Sequence, residues 1–134
     1  MPRLDFAPGA SCRVRSIDIS LDPFPQNGGV STWESLQMGV PVITKLGSSA
    51  SSRIGAAILR AIGLDDWVAE DDDRYVEIAR KYRTMTSRLQ LLRAELPTRI
   101  ANSAAGDVEL YTRRVEEGYR QFWHDYCASI VSPL

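Results

Sequence analysis

The stretch from Ile17 to Thr44 leaves the least choice of fold, because its hydrophobic period changes twice within 28 residues. "IDISL" (17–21) alternates apolar and polar residues and runs into Asp22, Pro23, Phe24 and Pro25, which reads as a short strand entering a loop. Val30 to Met38 then carries Val30, Trp33, Leu36 and Met38 near helical spacing and stops at Gly39, as a helix C-terminus does. "PVIT" (41–44) follows, short and apolar enough for a strand buried on both faces. Strand, helix and strand in that order form a crossover unit, the means by which two parallel strands are joined.

The alternation continues downstream. A glycine- and serine-rich turn, "LGSSASS" (46–52), leads into Arg53 to Ile62, where Ile54, Ala57, Ile58 and Ala61 form a stripe ending at Gly63. "LDDWVA" (64–69) reads as a third strand. The acidic run Asp71 to Asp73 opens a helix with Tyr75, Ile78, Ala79, Tyr82 and Met85 on one face; carboxylates suit its positive entrance and Arg80, Lys81 and Arg83 its exit. Ser87 to Leu96 predicts a further helix that stops near Pro97. Asp107 to Tyr126 predicts a long terminal helix, with Val108, Tyr111, Val115, Tyr119, Phe122 and Tyr126 at steps of three and four. The fold class is α/β: part of a Rossmann-like parallel sheet with a helical C-terminal tail. Three strands are few for such a sheet, and "RLDFA" (3–7) is a weak candidate for a fourth. The division expected is a poorly matched segment 1–14, a partial sheet domain 15–105, and a helix with tail over 106–134.

Composition narrows the functions. Sixteen basic and 17 acidic residues give a formal net charge of −1, without the excess of positive charge that a general nucleic-acid binder carries. Cys12 and Cys127 stand at opposite ends of the chain, unlike a disulfide scaffold or a zinc site, so a reducing cytoplasm is the expected location. No apolar run approaches the ~20 residues that span a bilayer, and neither a membrane partner nor export is expected. The single histidine, His124, lies in an aromatic helical pattern, where a surface or packing role outweighs a catalytic one.

The loop ahead of the first helix carries the chemistry. In open parallel sheets ligands bind where strand C-ends meet helix N-termini, because free amides and the helix dipole converge there. Asn27, Gly28, Gly29, Val30, Ser31 and Thr32 occupy that place: the glycines permit close approach or a positive φ, and Ser31 and Thr32 carry hydroxyl donors. Glu34, one turn on, is placed to accept hydrogen bonds from ribose hydroxyls. A plain glycine turn with a Ser or Thr N-cap explains the same residues without any ligand.

The wider string "DISLDPFPQNGGVSTWESLQMGVPVIT" with "SRIGAAILRAIGL" resembles the C-terminal catalytic region of the O-linked N-acetylglucosamine transferase and SPINDLY-type family, including its bacterial tetratricopeptide-repeat-associated branch, from about Arg15 to about Cys127. The shared motifs are Leu-Asp-x-Phe-Pro, the Asn-Gly turn, a Glu-Ser-Leu helix, Met-Gly-Val-Pro-Val, a Ser-Arg-x-Gly helix, and Tyr119, Arg120 and Trp123 in the tail. The resemblance implies the C-terminal lobe of a GT-B type glycosyltransferase, with diphosphate held by Gly29, Val30 and Ser31 and ribose by Glu34. It implies UDP-GlcNAc or a related nucleotide sugar as donor, a protein hydroxyl as acceptor, and no cofactor or metal. Val30 departs from the family's run of hydroxyl residues at the turn, leaving its amide but no side-chain donor. Ala50 stands where many relatives have a histidine, so no function transfers to it.

Arg53, Lys45 and Asp22 each have a ligand reading and a local one. For Arg53 the local reading is an ion pair at a helix entrance, and for Asp22 it is a loop-capping carboxylate. The acceptor side and the base-binding residues expected upstream are missing from the chain, which therefore reads as a piece of a larger enzyme that is inactive alone. The alternative is a degenerate or stand-alone nucleotide-binding or interaction module without catalysis. The aromatic stripe of the terminal helix is broader than a small sheet covers, so a homodimer or aggregation through residues 115–126 is expected, the alternative being that the helix packs fully on its own domain.

Overall fold

The apolar run after Gly39 becomes the middle of the sheet. In the computed structural model, which describes residues 16–104 and 106–131, β2 (Val42–Lys45) lies between β1 (Ser20–Leu21) and β3 (Val68–Ala69), parallel to both. Ser20 stands opposite Val42, and Thr44 opposite Val68. Val42, Ile43 and Thr44 are fully buried, as a central parallel strand covered on both faces must be. The sheet is extended by main-chain bonds from Asp22 N to the Ile43 carbonyl (2.9 Å) and from Leu46 N to the Ala69 carbonyl (2.8 Å). "RLDFA" and Cys12 lie outside the described residues.

Among the described residues there are five α-helices, and the first four carry the apolar stripes that close the core. These are α1 (Val30–Gln37), α2 (Ile54–Ala61), α3 (Asp72–Arg83), α4 (Thr86–Ala101) and α5 (Val108–Val131). Leu36 of α1, Leu59 of α2, Ile78 and Tyr82 of α3, and Leu89, Leu96 and Ile100 of α4 meet β2 and Trp67 in one buried cluster. The Trp67 and Tyr82 rings stack at 4.1 Å between centroids. At the start of α3, the Asp71 carboxylate accepts the Arg74 amide at 2.7 Å, so the acidic run serves the helix entrance.

Of the strand expected over Ile17 to Leu21 only Ser20–Leu21 forms, and two further expectations are corrected. Leu64 to Ala69 is a strand only over Val68–Ala69, and Asp65–Trp67 is a 3-10 turn. Leu64 and Trp67 are both buried. A spacing of three places them on one side of a 3-10 turn but on opposite faces of a strand, so burial selects the turn. The fourth helix does not stop at Pro97: α4 runs through it to Ala101. Leu96 and Ile100, buried on either side of the proline, hold the helix against the core. Proline has no N–H for the Arg93 carbonyl one turn back. That carbonyl faces Gly39, where a Cβ would approach to 2.8 Å, so α1 and α4 meet backbone to backbone.

The terminal helix is longer than expected and largely bare. Asp107 caps it by accepting the Leu110 amide at 2.9 Å, and its ion pairs, Arg114–Glu117 and Arg120–Glu116, run along its own surface. Tyr111, Tyr119, Phe122, Trp123 and Tyr126 are each 59–70% exposed.

Gly39 and Gly63 both close helices at positive φ, 75° and 71°, but only Gly39 faces a neighbouring backbone; no heavy atom lies within 4 Å of a Cβ at Gly63. Gly63→Ala is therefore expected to cost about 1 kcal/mol from left-handed strain alone, and Gly39→Ala at least about 2 kcal/mol through the added clash. Urea unfolding of the two variants checks this, and equal costs would refute the backbone contact.

Candidate functional site

The loop between β1 and α1 is organised around Asp22, the first residue beyond the C-end of β1. Its side chain is buried, and its two oxygens are divided between neighbours. Oδ1 accepts the Gly28 amide at 2.7 Å, and Oδ2 accepts the Thr44 hydroxyl at 2.6 Å. The Asp22 carbonyl accepts the Tyr75 hydroxyl at 2.8 Å. The Tyr75 phenol is held above its ordinary pKa, first by burial and then by the Asp22 charge, which keeps it a donor. The loop-capping reading of Asp22 describes the Gly28 contact, and Thr44 and Tyr75 extend it to β2 and α3.

The seven residues expected to bind a ligand divide into two groups. Asn27 is buried: its side-chain amide donates to the carbonyls of Pro23 (3.2 Å) and Lys45 (3.4 Å), and its main-chain amide to that of Ser51 (3.2 Å). Its Oδ1 is buried without a hydrogen-bond partner. The Gly28 amide is taken by Asp22, and the buried Thr32 hydroxyl donates to the Gly28 carbonyl at 3.1 Å. These three residues hold the turn. Gly29, Val30, Ser31 and Glu34 form the outward group, with Val30 73% exposed and Glu34 half-buried one turn along from Val30 and Ser31.

No side chain caps α1; Gly29 stands at its N-cap. The first amides of a helix have no carbonyl one turn back, so those of Val30 and Ser31 are left to whatever meets the entrance. Neither glycine of the turn has a positive φ. Gly28 serves close approach instead: a Cβ there would lie 2.5 Å from Ser31 Oγ and 3.0 Å from Asp22 Oδ1, whereas at Gly29 the nearest atom is Ile54 Cγ2 at 3.6 Å.

The second loop contributes shape more than free donors. Ser49 and Ser52 satisfy each other in a capping box around the 3-10 turn Ala50–Ser52. Among the described residues Arg53 has no acidic partner, and it donates to the Gly47 carbonyl at 3.4 Å. Lys45 pairs with Asp72 at 2.5 Å, and its ammonium lies 4.2 Å over the Phe24 ring. Together Phe24, Pro25, Lys45 and Gly47 with Ser48, Ser49 and Ser52 line a cavity of about 220 Å³ beside the turn. Among the described residues no cluster of three metal-ligating side chains forms. His124 is exposed on α5.

An uncapped helix entrance at the C-end of a parallel strand is the arrangement at which open α/β sheets can take up anions such as nucleotide phosphates. Comparison with known proteins makes the class specific. Residues 10–115 match glycosyl transferase family 41, and the chain belongs to that family. It is 41% identical over 111 residues to a barley (Hordeum vulgare) protein described as probable UDP-N-acetylglucosamine–peptide N-acetylglucosaminyltransferase SPINDLY, covering 83% of this chain and 12% of that one. The tomato (Solanum lycopersicum) SPINDLY protein is 39% identical over 118 residues, 88% of this chain and 13% of its own length. Among solved structures, a Thermobaculum terrenum O-GlcNAc transferase mutant matches with a TM-score of 0.83 at 30% identity, over 98% of this chain and 24% of that one. The chain thus spans about an eighth of the length of the plant relatives, and its fold is part of the GT-B architecture.

Crowding at the turn gives a direct test. Gly28→Ala is expected to cost about 1–3 kcal/mol, because the added Cβ meets Ser31 Oγ and then Asp22 Oδ1 and Thr32 Oγ1, and the last two cannot yield without losing their own hydrogen bonds, while Gly29→Ala costs under about 1 kcal/mol. Chemical denaturation of both decides, and a Gly28→Ala protein as stable as wild type would contradict the Asp22 contact.

Proposed function

We propose that this chain is the donor-binding part of a glycosyltransferase that transfers N-acetylglucosamine from UDP-GlcNAc to Ser or Thr hydroxyls of a protein. The carrying observation is the uncapped entrance of α1, where exposed Val30 and Ser31 follow a turn tied down by Asp22 and Thr32. The diphosphate meets these donors and the positive end of α1, and Glu34 accepts from the ribose. In the transfer step negative charge grows on the leaving diphosphate, and the same amides and dipole stabilise it. The family relation supports this reading, because the relatives' names specify that donor and a peptide acceptor. GDP-fucose is the donor alternative, and one titration panel separates the two.

Holding the acceptor in line and removing its proton require groups beyond this turn. We assign them to the part of the enzyme outside this chain, which makes the chain alone a binder and not a transferase. A second reading, a module that binds nucleotide or a partner without catalysis, draws on Val30, whose exposed isopropyl group stands where a hydroxyl would donate to phosphate.

Calorimetry with UDP, UDP-GlcNAc, GDP and GDP-fucose tests the proposal. Uridine nucleotides are expected to bind, with Ser31→Ala and Glu34→Ala each weakening affinity about tenfold or more, the loss of one charge-assisted hydrogen bond. Equal affinities in all three proteins would remove the site. Sugar transfer to a peptide by the purified chain, abolished by Glu34→Ala, would overturn its assignment as a donor-binding part only.

The bare face of α5 supports a further proposal about assembly, a homodimer through residues 115–126. Large contiguous apolar patches are uncommon on soluble monomers. Sedimentation is expected to show concentration-dependent association that Phe122→Ser and Trp123→Ser abolish while leaving the fold intact. A wild type that stays monomeric, with variants that unfold, would place the stripe inside the protein's own core.

A further inference from the structure

We propose that Asp22 is the positioning residue of the donor turn: its carboxylate fixes Gly28 and, through Gly28, the direction in which the Val30 and Ser31 amides leave the entrance of α1. For its ligand the inference rests on the nucleotide-sugar reading above.

Every polar group of Asp22 has a partner. Its amide donates to the Ile43 carbonyl at 2.9 Å, its carbonyl accepts from Tyr75 at 2.8 Å, Oδ1 holds the Gly28 amide and Oδ2 the Thr44 hydroxyl. Only 3% of the residue is exposed, so the carboxylate does not itself reach a ligand. A second layer locks it. Gly55, in the first turn of α2, packs against the pair so closely that a Cβ there would lie 2.5 Å from both Asp22 Oδ2 and Thr44 Oγ1. Gly28 directly precedes the N-cap Gly29, and its carbonyl accepts the Thr32 hydroxyl, so Gly28 is held at both its amide and its carbonyl. Donors held in place before the ligand arrives bind it more tightly than donors that must be ordered on binding. The helix entrance also gains a built-in negative charge beneath it, so a ligand anion meets the outer amides and not the Gly28 N–H.

The test separates positioning from mere support of the fold. In ¹⁵N-labelled protein, Asp22→Ala, Asp22→Asn and Thr44→Val are compared by amide spectra, melting temperature and UDP titration. Asn keeps the shape and an acceptor for Gly28. It is expected to retain the Gly28 signal and UDP affinity within about threefold, whereas Ala shifts the Gly28 to Ser31 signals and weakens UDP tenfold or more. Thr44→Val, which frees Oδ2, is expected to shift the same signals and weaken UDP about threefold. A folded Asp22→Ala protein that binds UDP like wild type, or Asn as weak as Ala, overturns the proposal. If Asp22→Ala does not fold, Thr44→Val decides: signals and affinity both unchanged overturn it. If wild type itself does not bind UDP, the nucleotide reading fails separately. Positioning then stands if the shifts spread from Gly28 to Ser31 in Thr44→Val and Asp22→Ala, and falls if they do not.

Discussion

A buried carboxylate at the end of β1 is the interaction on which the rest of the structure depends. Removing a carboxylate from water is costly unless its oxygens are hydrogen-bonded, and Asp22 meets that condition with one bond to the turn and one to β2. Those bonds join segments distant in sequence: Thr44 lies 22 residues on, and Tyr75, which donates to the Asp22 carbonyl, 53 residues on. The C-ends of β1 and β2, the start of α1 and the first turn of α3 are thereby held around one group. The first turn of α2 packs on it through Gly55. The uncapped entrance of α1 is thus built over a carboxylate belonging to the protein, which ties the turn to two strands and two helices.

Wherever apolar period alone determined the outcome, the fold was legible in the residues. The crossover from β1 through α1 to β2, the stop at Gly39 and the face of α3 all follow from spacing and punctuation. Two departures occur where tertiary burial opposed local preference. Pro97 ends a helix in isolation, but Leu96 and Ile100 bury on one face only if the helix continues. Leu64 and Trp67 read as strand residues by type, but their spacing of three is buried by a tight turn.

Around the turn, the residue types were legible and their division of labour was not. Type and spacing give Thr32, Ser31 and the Gly28 amide equal standing as ligand donors, yet two of the three are committed inward. What separates them is the position of Asp22, and that depends on Thr44 standing at the adjacent strand end, a pairing visible only once the register of β1 on β2 is known. The signal present in the sequence was a hydroxyl residue at the C-end of an otherwise apolar strand, where only a polar partner justifies burial. The serine-rich second loop misleads in the same way: its hydroxyls look available, but Ser49 and Ser52 use theirs on each other and on nearby amides.

The contrast between the two ends of the chain follows from where polar groups find partners. Around β2 each element is tied to others by buried bonds and apolar contact. In α5 the side chains bond along the same helix or at its cap, as Gln121 does to Asp125 at 2.8 Å. Pairs of that kind contribute only a few tenths of a kcal/mol each, and most helix stability in proteins comes from packing an apolar face. Five aromatic side chains on α5 remain mostly in water, so the energetics of this helix differ from those of α1 to α4, which are anchored by buried Leu and Ile. The core formed around Asp22 and β2 therefore does not depend on α5, whereas α5 gains its largest stabilisation only when its aromatic face is covered.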